Sequence, residues 1–258
     1  MAWSVLQSAS NSNSGGTTVA ATFSTANLST GSKIIAYVEA SVATGGGAYF
    51  TGATDGTNSL TALYNNSGAG NGNAIAMYAM DTPAGDVGTK PTITVTANTA
   101  LATNFGLALL IQEVSGLLAG NTTAMLDGSI AENDGNSASA TTGAYSSTAA
   151  SEYLVAVYGD QGISVTFTSF PSGYTEDPSS IMGQSTANIA VGYKNSSNGA
   201  ESATFGLSGS GLWITMIGAF QLGGPVITSG PKLSPQPMGS QPAMIVSAAG
   251  WRGAQHSR

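Results

Sequence analysis

The chain has 258 residues, a net charge of −7 and no cysteine, with 41% hydrophobic but only 7% charged residues. An ordinary domain carries about 25% charged residues; here glycine, alanine, serine, threonine and asparagine take their place. Disulfides and thiolate metal sites are excluded. Nucleic acid is not an expected partner, because Lys33, Lys90, Lys194 and Lys232 are scattered and form no basic stripe to neutralise phosphates.

In chain order, the opening Met-Ala-Trp-Ser-Val-Leu-Gln has no basic region and no long apolar run, so it does not read as a signal peptide. Strand signals follow. Thr17–Ser24 alternates around Val19, Ala21 and Phe23, and Lys33–Ser41 is β-branched and aromatic. Ala74–Met80 comes next, then Pro91–Ala97, with Ile93 and Val95 on one face. Gly106–Val114 is a short apolar run flanked by turn residues, which favours a buried strand over a helix. Gly45-Gly46-Gly47, Asp55-Gly56 and the stretch from Asn65 to Gly72 punctuate these runs as turns. The longest apolar segments, Phe105–Ile111 and Leu212–Phe220, are far shorter than the ~20 residues of a membrane helix.

The second half repeats the programme. Glu152–Asp160 resembles Lys33–Ser41, Asn188–Lys194 resembles Ala74–Met80, Ala203–Leu207 resembles Thr92–Thr96, and Leu212–Phe220 resembles Gly106–Val114. Four elements in the same order suggest an internal duplication, with pseudo-repeats of about 1–118 and 124–222. Regularly spaced short strands without capped helical periods fit an all-β, antiparallel β-sandwich or jelly-roll-like body over residues 1–222. After Leu222 the composition changes. Residues 223–242 hold five of the nine prolines, which favours an extended C-terminal arm over 223–258. The arm carries an apolar clip, Met244, Ile245, Val246 and Trp251, suited to docking on another surface or back on its own body, with a disordered tail as the third reading. Each well-buried anchor of that kind contributes roughly 1.5–3 kcal/mol.

Several segments together resemble a known family: the opening Ser/Ala/Asn/Gly strand, Lys33–Val38, Thr54–Tyr64, Ala74–Gly85, Pro91–Ala97 and the run ending at Glu113–Leu117. They look like the β-sandwich domain of tailed-bacteriophage structural proteins, found also in some bacterial surface proteins. The resemblance covers roughly residues 1–222, and its motifs are turns and strands. It implies a virion-associated role, as a minor tail or capsid-associated protein, and carries over no catalytic residue.

The residues themselves offer little for catalysis. A Ser-His-Asp triad needs a placed histidine, and the only one is His256, near the C-terminus. Glu176-Asp177 are adjacent, so on a strand they point to opposite faces; Glu113 and Glu39 are the acids inside apolar runs. Glu132-Asn133-Asp134-Gly135-Asn136 and Asp55-Gly56-Thr57-Asn58 are the best calcium-loop candidates, although ordinary turn chemistry accounts for both. The Gly68–Gly72 stretch lacks the lysine and helix of a phosphate loop. Tyr49, Phe50, Tyr64, Tyr78 and Tyr174 are candidate sugar-stacking rings, but most tyrosines and tryptophans here sit in strand patterns and read better as core or interface, Trp213 above all.

The expectation is a non-enzymatic structural component of a bacteriophage virion, capsid decoration or minor tail protein, without cofactor or metal. It would be assembled in the host cytoplasm and released by lysis. Its partners would be copies of itself and neighbouring virion proteins. The alternative is a carbohydrate-binding or adhesin module contacting host surface glycans.

Overall fold

Lys33–Ser41 forms the strand that its β-branched and aromatic residues predict, and every residue in it is buried. This is possible only where both faces of a sheet are covered. The computed structural model describes residues 2–41, 49–67, 72–120, 123–161 and 165–223. Met244, Ile245, Val246 and Trp251 lie outside the described residues, as do His256 and the rest of the arm beyond Gly223.

The first half contains β1 (Ser4–Thr22), β2 (Lys33–Ser41), β3 (Phe50–Thr54), β4 (Ser59–Ser67), β5 (Asn73–Asp81) and β6 (Thr92–Ser115). A single 3-10 turn, Thr123–Met125, leads to the second half. There follow β7 (Ala131–Thr141), β8 (Tyr145–Ser146), β9 (Ala150–Asp160), β10 (Phe167–Ser169) and β11 (Thr175–Glu176). β12 (Asn188–Ser197), β13 (Ala200–Glu201) and β14 (Thr204–Phe220) complete the body. All pairings between these strands are antiparallel, and no α-helix occurs among the described residues.

The first sheet has the order β1-β6-β2-β5-β4-β3, and β3 pairs again with β6. The sheet thus closes on itself through the two limbs of β6: Leu107–Val114 lies against β2, and Thr94–Ala97 lies against β3. The second sheet runs β10-β14-β9-β12-β11, with β7 also on β14. Strand for strand, β7-β14-β9-β12-β11 follows β1-β6-β2-β5-β4, and β10 meets β14 as β3 meets β6. Both sheets belong to one compact unit.

Three apolar layers result. Ile34, Ala36 and Val38 of β2 face the inside of the first sheet, with Tyr78, Ile93 and Leu109. Their neighbours Ile35 and Tyr37 face the other way, against Val155, Val157, Ile189 and Met216 of the second sheet. The far face of the second sheet buries Leu154, Ala156, Tyr158, Phe205 and Trp213. Successive side chains point to opposite faces, so the central strands of both sheets are apolar at nearly every position. That is why they read as continuous apolar runs.

The long strands bend. β1 pairs with β6 along two limbs, and the register shifts around Gly16. Gly15 and Gly16 have φ of 70° and 82°, a region that costs a residue with a Cβ. Across this bend the Asn11 side-chain amide donates to Ala20 O at 2.8 Å, and Asn13 donates to Thr18 O. The β7–β14 pair shifts register between Gly206 and Gly211, and there Asn133 donates across to Thr141 O at 2.8 Å.

Candidate functional site

The candidate calcium segment Glu132–Asn136 is neither a calcium loop nor a turn. It lies within β7, paired residue by residue with Met216–Leu212 of β14. Consecutive side chains there point to opposite faces, so the five do not wrap around one ion as those of a loop would. Gly135 serves packing instead. A Cβ there would lie 2.7 Å from Cζ2 of Trp213, so glycine makes the bed for that ring. Trp213 is buried, as its apolar surroundings predict, and donates from Nε1 to Ser137 Oγ at 3.2 Å. The Asp55 segment is a turn. The Asp55 carboxylate accepts from the N–H groups of Thr57 and Asn58 at 2.6 and 2.5 Å, and these bonds hold its pKa down against burial. Among the described residues no three acidic or imidazole side chains converge as metal ligands.

The candidate sugar-stacking rings are mostly core, as their place in strand patterns suggests. Tyr49, Phe50 and Tyr78 are buried. Tyr64 is half-buried with its hydroxyl 3.3 Å from Glu132, and Tyr174 is half-buried beneath the Lys194 ammonium, 4.9 Å from the ring centre. Lys194 also pairs with Glu201 at 2.9 Å.

Two carboxyl pairs are buried in the body. Glu39, wholly buried on β2, sits against Asp160 at the end of β9. Neither Glu39 oxygen has a hydrogen-bond donor in place, since the nearby Ser41 hydroxyl is committed to Thr186 O at 2.6 Å. Burial, reinforced by the Asp160 charge, pushes the Glu39 pKa well above the ordinary value of 4.5. Gly159 accommodates it, because a Cβ there would overlap Glu39 Cγ. Asp160 is better served, accepting from Asn188 Nδ2 at 2.6 Å and from the Tyr158 hydroxyl.

The second pair is Asp127, just past the 3-10 turn, and Glu152 on β9. Burial opposes the charge on Asp127, but bonds from the Thr148 hydroxyl and N–H outweigh it and hold its pKa down. Burial and that neighbouring charge push Glu152 up to about 7. Nothing in the sequence marks this pair, because its members are far apart in the chain and neither lies in a motif. Both side chains have little exposed area.

Glu113 and Asp177, singled out in the sequence, are structural. Glu113 accepts from Gln7 Nε2, Ser29 N and Ser32 Oγ, each at 2.7 Å. Asp177 accepts from Gln112 Nε2 at 2.6 Å and Ser179 N at 2.8 Å. Gln112 in turn receives the hydroxyls of Tyr37 (2.9 Å) and Tyr153. One amide of β6 thereby ties the two sheets together through fully buried groups.

Concave surface is found along β1. One hollow of about 340 Å³ lies between Val5–Ser8 and the segment around Pro178, with the Tyr193 ring in its wall. Trp3 packs edge-on to Tyr193 with centroids 5.9 Å apart. A second hollow, of about 610 Å³, lies between Ser12–Ser14 and Gln184–Thr186. Sequence does not point to these residues; they are serines, threonines and amides in a chain full of them, and only the fold makes them concave. No family model, no curated protein and no solved structure matches the chain.

Proposed function

We propose that this chain is a non-enzymatic structural component of a bacteriophage virion, either a capsid decoration or a minor tail protein, acting by contact rather than by chemistry. The observation that carries this reading is the disposition of its polar chemistry. Glu39 is sealed inside the body against Asp160, Asp127 and Glu152 have little exposed area, and Glu113 and Asp177 have their oxygens taken by structural bonds. The central strands spend both faces on packing. What remains outside is a sparsely charged, mildly acidic surface dominated by hydroxyl and amide groups, with Leu6 and Leu212 as the exposed large apolar side chains among the described residues. Such a surface carries few charges for its area, which limits the repulsion between copies, and it suits contact with copies of itself or a protein lattice. The resemblance to tailed-phage structural domains supports the virion setting.

Light scattering on the full chain and on a version ending at Gly223, followed by co-sedimentation of each with purified virions, tests this. The expected result is a symmetric oligomer or particle-bound species for the full chain, weakened by the truncation. A full-length monomer that stays in the supernatant overturns the reading.

A further inference from the structure

We infer that the seam between β1 and residues 178–186 is a binding site for a neutral, linear oligosaccharide, a role independent of the virion reading. Both hollows open along this seam, one beside Val5–Ser8 and the other beside Ser12–Ser14. The Ser8 and Ser179 hydroxyls meet across it at 2.8 Å. Seven residue steps of about 3.3 Å separate Leu6 from Asn13, so the two hollows are spaced roughly 20 Å apart, a separation for an extended ligand rather than a compact one.

The lining defines the ligand. No side chain bordering either hollow is charged. A phosphate or carboxylate would find no cation there, because Lys194, next in sequence to Tyr193, is held by Glu201 and the Tyr174 ring. A cation would find no free carboxylate, because Asp177, next in sequence to Pro178, is engaged by Gln112 and Ser179. The groups that are offered, Ser14, Thr103, Gln184 and Ser185 among them, both donate and accept hydrogen bonds. A sugar hydroxyl needs both functions at once. At the other end Leu6, 44% exposed, and the Tyr193 ring supply the apolar surface that the C–H face of a pyranose covers. The ring packs against Trp3 and Tyr153, with centroids 5.9 Å apart in each pair, so little ordering is required on binding.

The test is calorimetric titration of the full chain with cellohexaose, maltohexaose, mannohexaose and chitohexaose, with hexagalacturonate as the anionic counterpart. Amide chemical-shift mapping locates any binding. Expected are binding of at least one neutral hexasaccharide, shifts at Leu6, Gln184 and Tyr193, and no comparable binding of hexagalacturonate. Tyr193→Ala should weaken binding about tenfold, the loss of one stacking contact. Because Tyr193 also packs on Trp3, the surface change Gln184→Ala serves as a second variant and should weaken binding without lowering the melting temperature. Silence from all four neutral sugars at millimolar concentration, shifts elsewhere on the body, or equal binding of the anionic hexamer overturns the assignment.

Discussion

Glu39 shows how far a single residue can be read from sequence. An acid inside the run Lys33–Ser41 stands out among apolar neighbours, and that much is legible. Its burial partner is not, because Asp160 and Gly159 come from a strand in the other half of the chain, brought in by the second sheet. The consequence for stability has a definite sign. The folded pKa of Glu39 is raised, so the folded form keeps a proton that the unfolded chain releases above about pH 4.5. Stability associated with this group is therefore full below pH 4.5 and lost as pH rises, at ~1.4 kcal/mol per pH unit until the folded group ionises. Glu39→Gln removes that slope. Its melting temperature should match the parent's near pH 4.5 and exceed it by a margin that grows toward pH 8, measured by thermal unfolding across that range. A margin that stays constant, or a less stable variant at pH 8, would refute the account. Glu152, pushed up to about 7, leaves a second contribution of the same sign in both proteins.

At the scale of elements, the apolar strands are legible and the polar ones are not. β2, β5, β9 and β12 begin within two residues of where alternation and β-branching place them. The runs at Pro91–Ala97 and Gly106–Val114 are both strands but prove to be limbs of one bent β6, and Ala203–Leu207 and Leu212–Phe220 are likewise limbs of β14. Most of β7 carries no strand signal of its own, and the first limb of β1 is read as a strand only through the family resemblance, because Ser, Asn and Gly dominate both; at a sheet edge, pairing with one partner and cross-bend asparagine bonds replace side-chain burial. The Glu132–Asn136 segment reads as a loop for that reason, its Asn-Asp-Gly chemistry being identical in a loop and an edge strand. Gly135→Ala tests the corrected role. Its methyl group meets the Trp213 ring, so the variant should lose about 1–3 kcal/mol of stability in denaturant titration, the usual cost of overpacking. Trp213 emission should shift with it, and addition of calcium should change neither protein. Calcium-dependent stabilisation of the parent that is lost in the variant would restore the loop reading.

For the whole molecule, the all-β antiparallel class follows from the spacing of short strands, whereas the stacking of two like-ordered sheets does not. Continuous apolar runs say that both faces are covered but not by what. The equivalent pairing orders of the two sheets suit the duplication that we propose on the sequence repeats. The middle apolar layer, made jointly by Ile35, Tyr37, Ile75 and Met77 of one half and Val155, Val157, Ile189 and Met216 of the other, belongs to neither half alone. The body should therefore melt in a single transition, with calorimetric and van't Hoff enthalpies equal for the version ending at Gly223. Two resolved transitions would mean that the sheets are separable. The same shared layer sets a timing problem during synthesis. The first sheet is complete once Ser115 has been made, but its cover is finished only at Phe220. At about 5–20 residues per second that leaves a sticky sheet face bare for roughly 5–20 s. On a crowded polysome, the nearest available cover for that face is the same face of the nascent chain on the next ribosome.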